Sequence, residues 1–96
     1  MNASLSGAMI TLGEVARAVE GELWGDAGLV VEDITHDSRS AGQRSLFVAI
    51  QGEKTDGHLF IQQALERGAI GVISERGRPE GFRAAWIRVK DARVAL

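Results

Sequence analysis

"SLFVAIQGEKTDGHLFIQQALERGAIGVIS", residues 45–74, decides the fold. "LFVAI" is an unbroken apolar run, as expected of a strand covered on both faces of a sheet. "GEKTDG" then breaks it with turn formers. Asp56 suits the N-cap of a helix whose apolar stripe is Phe60, Ile61, Ala64 and Leu65. Gly68, behind Glu66 and Arg67, suits its end, and "AIGVIS" is a second buried strand. Strand, helix and strand from 46 to 74 form a βαβ unit, which predicts a right-handed crossover and parallel pairing.

Upstream, "TLGEVARAVEGE" sets Leu12, Val15, Ala16 and Val19 at helical spacing. Thr11 and Glu14 fit a capping box, and Gly21 suits the C-cap. "ELWG" and "LVVEDIT" read as short strands joined by a turn at Gly25 and Asp26. Downstream, "ERGRPEGFRAA" is a loop holding the one proline, "WIRV" is a short strand, and Asp91 opens a helix, "DARVAL". The order of elements predicts an α/β fold with a small parallel or mixed sheet flanked by helices. Residues 1–8 read as a loose leader and residues 9–90 as one domain. A final helix of little more than one turn is not stable alone, so residues 91–96 are expected to lead into a further domain.

Composition narrows the function. The chain has 96 residues, a formal net charge of −2 and no cysteine. That charge gives no general attraction to nucleic acid or to an anionic membrane. Disulfides and thiolate metal sites are excluded. No apolar run approaches the ~20 residues that span a bilayer, and the first ten residues make a poor secretory signal. The expected compartment is the cytoplasm. There is no GxxxxGK[ST] loop, no GxGxxG and no His–carboxylate set at metal spacing, and the Ser–His pairings do not single out a catalytic one.

What remains is two polar clusters at strand ends, "HDSR" at 36–39 and "GEKTDG" at 52–57. If the strand at 30–35 runs parallel to that at 46–50, both clusters stand outside one carboxyl edge, where α/β sheets bind ligands. Ser38 offers a hydroxyl, Arg39 a fork for phosphate or carboxylate, Lys54 a flexible charge and Thr55 a second hydroxyl. The competing reading is plain: an Asx turn at Asp37 with a surface arginine, and a solvated turn at 53–55. His36 is either a ligand-polarising group or an ordinary strand-end histidine; His58 reads as structural. Trp24 and Trp86 stack on a base or, as expected in a domain with few aromatics, pack in the core. Phe47 and Phe60 are core by pattern.

At these residues the chain resembles a known family. "ITHDSRS" followed by "SLFVAIQGEKTDGHLFIQQALERGAIGVIS" is similar to the N-terminal domain of the Mur ligases, which extend the peptide stem of peptidoglycan, and the likeness runs over roughly residues 9–96. "THDSR" with "EKTDGH" looks most like the MurE type, which adds the third residue to UDP-N-acetylmuramoyl-L-alanyl-D-glutamate. The opening "MITLGEVARAVEGELWG" is similar to the MurF type, which adds D-alanyl-D-alanine, and that type is the alternative; a stand-alone binding module is a third.

The resemblance implies that this domain holds the uridine diphosphate end of the substrate. Carried over by position, the nucleotide-sugar contacts fall on His36, Ser38, Glu53, Lys54 and Thr55, with Asp37, Arg39 and Asp56 in support. The family often has a hydrophobic residue where His36 stands, so backbone contact is the expectation there. Its turn before the LFVA strand usually reads Pro-Gly-Asp; here Gln43, Arg44 and Ser45 replace it. The whole enzyme, by resemblance, uses ATP and Mg2+ to form an acyl phosphate that an amine attacks, with the phosphate loop and metal ligands in a central domain and the amine site drawing on a C-terminal one. No catalytic residue, cofactor or metal ligand is expected in this chain, and its partners would be the UDP-N-acetylmuramoyl peptide and those two domains.

Overall fold

A computed structural model describes residues 10–51 and 56–92. The elements run β1 (Ile10–Thr11), α1 (Leu12–Ala18), β2 (Glu22–Trp24), β3 (Val30–Val31), β4 (Asp33–Thr35), a 3-10 turn (Ser38–Ser40), β5 (Ser45–Val48), a second 3-10 turn (Gly57–Phe60), α2 (Ile61–Glu66), β6 (Gly71–Ser74) and β7 (Ala85–Arg88). A five-stranded sheet has the order β2-β7-β6-β5-β4. Its β4–β5, β5–β6 and β6–β7 pairs are parallel, and β2 lies antiparallel on β7 at one edge. β1 and β3 form a separate antiparallel pair. The predicted mixed α/β sheet is what forms, with the βαβ unit of 45–74 at its centre.

Alternation along the strands sorts the core into two faces. Leu46, Val48, Ile73, Ala85 and Ile87 pack with Leu12, Val15 and Ala16 of α1. Phe47, Ala49, Val72 and Trp86 pack with Ala64 of α2, Ala41 and Ala69. β5 and β6 are therefore buried on both sides, and that accounts for their unbroken apolar runs.

Local signals hold where they are local. Thr11 and Glu14 form the capping box, the Thr11 side chain accepting from Glu14 N–H and Glu14 accepting from Thr11 N–H at 3.1 Å. Gly68 takes the left-handed conformation, φ 114°, after α2. At the end of α1, however, it is Glu20 that turns left-handed, φ 55°, not Gly21. Gly21 is needed for space: a Cβ there would meet Ile87 Cγ2 at 2.5 Å and Arg88 O at 2.9 Å. "LVVEDIT" also divides. Glu32 separates β3 from β4, its N–H donating to Arg44 O at 2.9 Å, so the two halves join different sheets. β2 likewise pairs with β7, not with the strand that follows it across the turn.

The turn that departs from Pro-Gly-Asp is firmly held. Ser45 Oγ donates to Gly42 O at 2.8 Å and Arg44 N–H to Gly68 O at 3.0 Å. Arg44 sits at φ 58°. A non-glycine residue pays about 1–2 kcal/mol there, which glycine avoids. Its exposed ion pair with Glu32, at 3.0 Å, offsets at most about 1 kcal/mol. Arg44→Gly is therefore expected to raise stability by up to about 1 kcal/mol in urea denaturation; a loss of similar size would show that the Glu32 pair outweighs the backbone.

Candidate functional site

Parallel pairing of β4 with β5, Thr35 opposite Phe47, brings the exits of both strands to one edge. A cleft of about 710 Å3 opens there, lined by His36, Asp37, Ser38, Arg39, Phe47, Ile50, Gly57, Phe60 and Gln63. One wall is the first polar cluster. The other is built from the end of the β5 run and the start of the second 3-10 turn. Glu53, Lys54 and Thr55 lie outside the described residues, as do residues 93–96 of the helix expected from Asp91; Gln51 and Asp56, which flank the 52–55 segment, are joined by an antiparallel bridge.

Within the first wall the residues divide between the two readings the sequence allowed. Asp37 makes the Asx turn: Oδ1 accepts Arg39 N–H at 2.9 Å. The same carboxylate grips the Arg39 guanidinium through Nε and Nη2, both at 3.2 Å. The Arg39 side chain and backbone hold the Asp37 carboxyl below its ordinary range, and Asp37 in turn raises Arg39. Arg39 is thus a surface arginine paired to its own turn. Ser38 faces inward instead. It is buried, and its Oγ donates to Gln63 Oε1 of α2 at 2.6 Å, tying the wall to the helix across 25 positions. His36 is exposed on the cleft rim.

In the second wall Asp56 caps the 3-10 turn, Oδ1 accepting His58 N–H at 2.9 Å, as its sequence position predicts. His58 is structural, bonded through Nδ1 to Asp56 Oδ1 and through Nε2 to Ser74 Oγ, both at 2.6 Å. The His58 N–H, its ring and then Arg76 hold the Asp56 carboxyl at about 2. Gly57 lies against β5, donating to Ile50 O at 2.8 Å.

The floor was the part sequence missed. Phe47 is core, as expected, and Trp86 is fully buried, but Phe60 is 39% exposed and faces the cleft, and Trp24 is 38% exposed on the edge strand. Both were expected in the core. Phe60 sits on the 3-10 turn ahead of α2, so only part of the predicted stripe reaches the sheet, with Ala64 its buried member. Gln63 carried no signal beyond falling three residues after Phe60, one helical turn along the same face. The arrangement is an apolar slot with a hydroxyl–amide pair, Ser38 and Gln63, in one wall.

Comparisons agree with the geometry. Residues 30–96 match the model of the Mur ligase family, catalytic domain. A UDP-N-acetylmuramoyl-L-alanyl-D-glutamate–2,6-diaminopimelate ligase of Alkaliphilus metalliredigens is 39% identical over 75 residues, which is 78% of this chain and 15% of that protein. Other curated relatives carry the same name. A UDP-N-acetylmuramoylalanyl-D-glutamyl-2,6-diaminopimelate–D-alanyl-D-alanyl ligase of Acinetobacter baumannii superposes with a TM-score of 0.77 at 29% identity, over 91% of this chain and 20% of that one. The MurF ligase of Thermotoga maritima, solved with ADP, gives 0.51 at 32% identity over 62% of this chain and 13% of that one. The chain therefore spans about a sixth of the length of the curated relatives it matches. With Asp37, Ser38, Arg39 and Gly57 lining one cleft, and with this match over most of its length, the chain belongs to the Mur ligase family, as its N-terminal domain.

Proposed function

We propose that this domain anchors the uridine diphosphate end of UDP-N-acetylmuramoyl-L-alanyl-D-glutamate in a MurE-type peptidoglycan-precursor ligase of the cytoplasm. The observation that carries the reading is Ser38: a buried hydroxyl bonded to Gln63 in the wall of an apolar cleft. Phe47, Ile50 and Phe60 supply the hydrophobic surface a pyrimidine needs, and Ser38 with Gln63 supplies edge donors and acceptors. Glu53, Lys54 and Thr55 belong to the diphosphate and sugar side in this reading. Asp37 and Arg39 support the turn that carries Ser38, and Asp56 the turn that follows 52–55. His36 contributes backbone.

The domain's part in the reaction is orientation. Holding the far end of a long substrate brings its reacting carboxylate to a fixed place and lowers the entropic cost of the encounter. ATP and Mg2+ are assigned to the rest of the ligase, since the phosphate-loop pattern is absent from this sequence. Among the described residues no helix is long and apolar enough to cross a membrane. A MurF-type ligase is the second reading, favoured by the likeness to the A. baumannii enzyme; the anchoring role is common to both.

Calorimetry with UDP tests the reading. Wild type is expected to bind weakly, and Ser38→Ala to bind about three- to tenfold more weakly still, the range of one neutral hydrogen bond. Equal affinities would remove Ser38 from the site.

A further inference from the structure

Behind the cleft wall, Asp56, His58 and Ser74 make contacts in the order of a hydrolase triad: carboxylate to Nδ1, and Nε2 to a serine hydroxyl, both at 2.6 Å. Burial rules out that chemistry. Ser74 is 0% exposed, and its Oγ already accepts Arg76 N–H at 2.9 Å. The ionised Asp56 is acceptor-only, so His58 Nδ1 carries a proton. The line of polarity is complete: among the described residues no buried side-chain polar atom is left without a partner.

Its outer end is informative. Arg76 Nη2 donates to Asp56 Oδ2 at 2.6 Å and to Gln51 Oε1 at 3.2 Å. One guanidinium nitrogen thus holds both residues that flank segment 52–55, the same two that form the bridge. Its own backbone is fixed in turn, N–H to Ser74 and carbonyl to Trp86 Nε1 at 2.9 Å. The end of β6 is therefore tied to both flanks, whose neighbours Ile50 and Gly57 line the cleft, although Arg76 lies outside the lining.

We infer that Arg76, through Asp56 and Gln51, and with His58 and Ser74 behind them, is a positioning residue for nucleotide binding: it holds the chain beside Ile50 and Gly57, which line the cleft, in place before the ligand arrives. The inference rests on the anchoring role proposed above. Ordering those flanks in the free protein removes a cost that would otherwise be met on binding, so the residue sets affinity without touching ligand.

Titration of the 96-residue chain with UDP, at a temperature where melting curves show every variant folded, tests it. Arg76→Gln removes the charge and is expected to weaken UDP at least fivefold. Arg76→Lys keeps a charge for Asp56 but not the guanidinium, and is expected to recover part of the loss. A role in stability alone would lower the melting temperature and leave the dissociation constant unchanged in both variants, and that result overturns the inference. Wild type failing to bind UDP at all would instead overturn the anchoring reading, and the inference with it.

Discussion

Trp86→Ala is expected to cost about 3–5 kcal/mol, the range for deleting a large buried aromatic. Trp86 is 1% exposed, and the residues sharing its side of the sheet include Ala41, Ala49, Ala64 and Ala69. Alanines cannot swing into the space a lost indole leaves, so the cavity stays open and the upper half of the range applies. The change also removes the edge-on contact with Phe82, 5.1 Å between ring centres, and leaves Arg76 O without its donor. Against a total stability of roughly 5–14 kcal/mol for a chain of this size, that loss brings the fold close to collapse. Urea denaturation followed by circular dichroism measures it. A loss below about 1 kcal/mol would mean that α2 closes onto the sheet after all.

Gly57→Ala is expected to cost on the order of 2–3 kcal/mol, at the upper end for overpacking. A Cβ at Gly57 would stand 2.8 Å from both the backbone nitrogen and the backbone oxygen of Ile50. Backbone has no rotamer to escape into, so the 3-10 turn must lift from the segment after β5 and stretch the Gly57 N–H bond to Ile50. Gly57 and Ile50 both line the cleft, and UDP affinity should fall with stability. The melting temperature should drop by roughly 10–20 °C, from the usual scaling for small domains. Retention of the wild-type melting temperature would show that the turn yields freely.

These two positions mark where sequence reasoning succeeds and where it stops. The "DGH" triplet announces a helix cap through Asp56, because capping acts over three residues and leaves a local signature. The same holds for Thr11 with Glu14 and for the buried runs of β5 and β6. That Gly57 is a matter of clearance, not of flexibility, depends on Ile50 lying above it, and Gly21 depends on residues as distant as Ile87. That β4 and β5 end at one edge followed from taking them as parallel neighbours, and their pairing is parallel. Which of their side chains turn inward was not. Ser38 is paired across 25 positions, Arg76 across 20 and Ser74 across 16, and no periodic pattern records such pairs. Phe60 and Trp24 misled for a related reason, since an aromatic residue reads the same in a core, on a cleft floor and on an exposed edge strand.

The two rims of the main sheet have a consequence for association between molecules. β2 and β4, the outermost strands, are three residues each, and each carries an acid, Glu22 on one and Asp33 on the other, with Glu32 directly before the latter. Borders this short, with charged side chains along them, offer few free amides to a foreign strand. A small sheet with such borders is thereby discouraged from stacking edge to edge into ribbons.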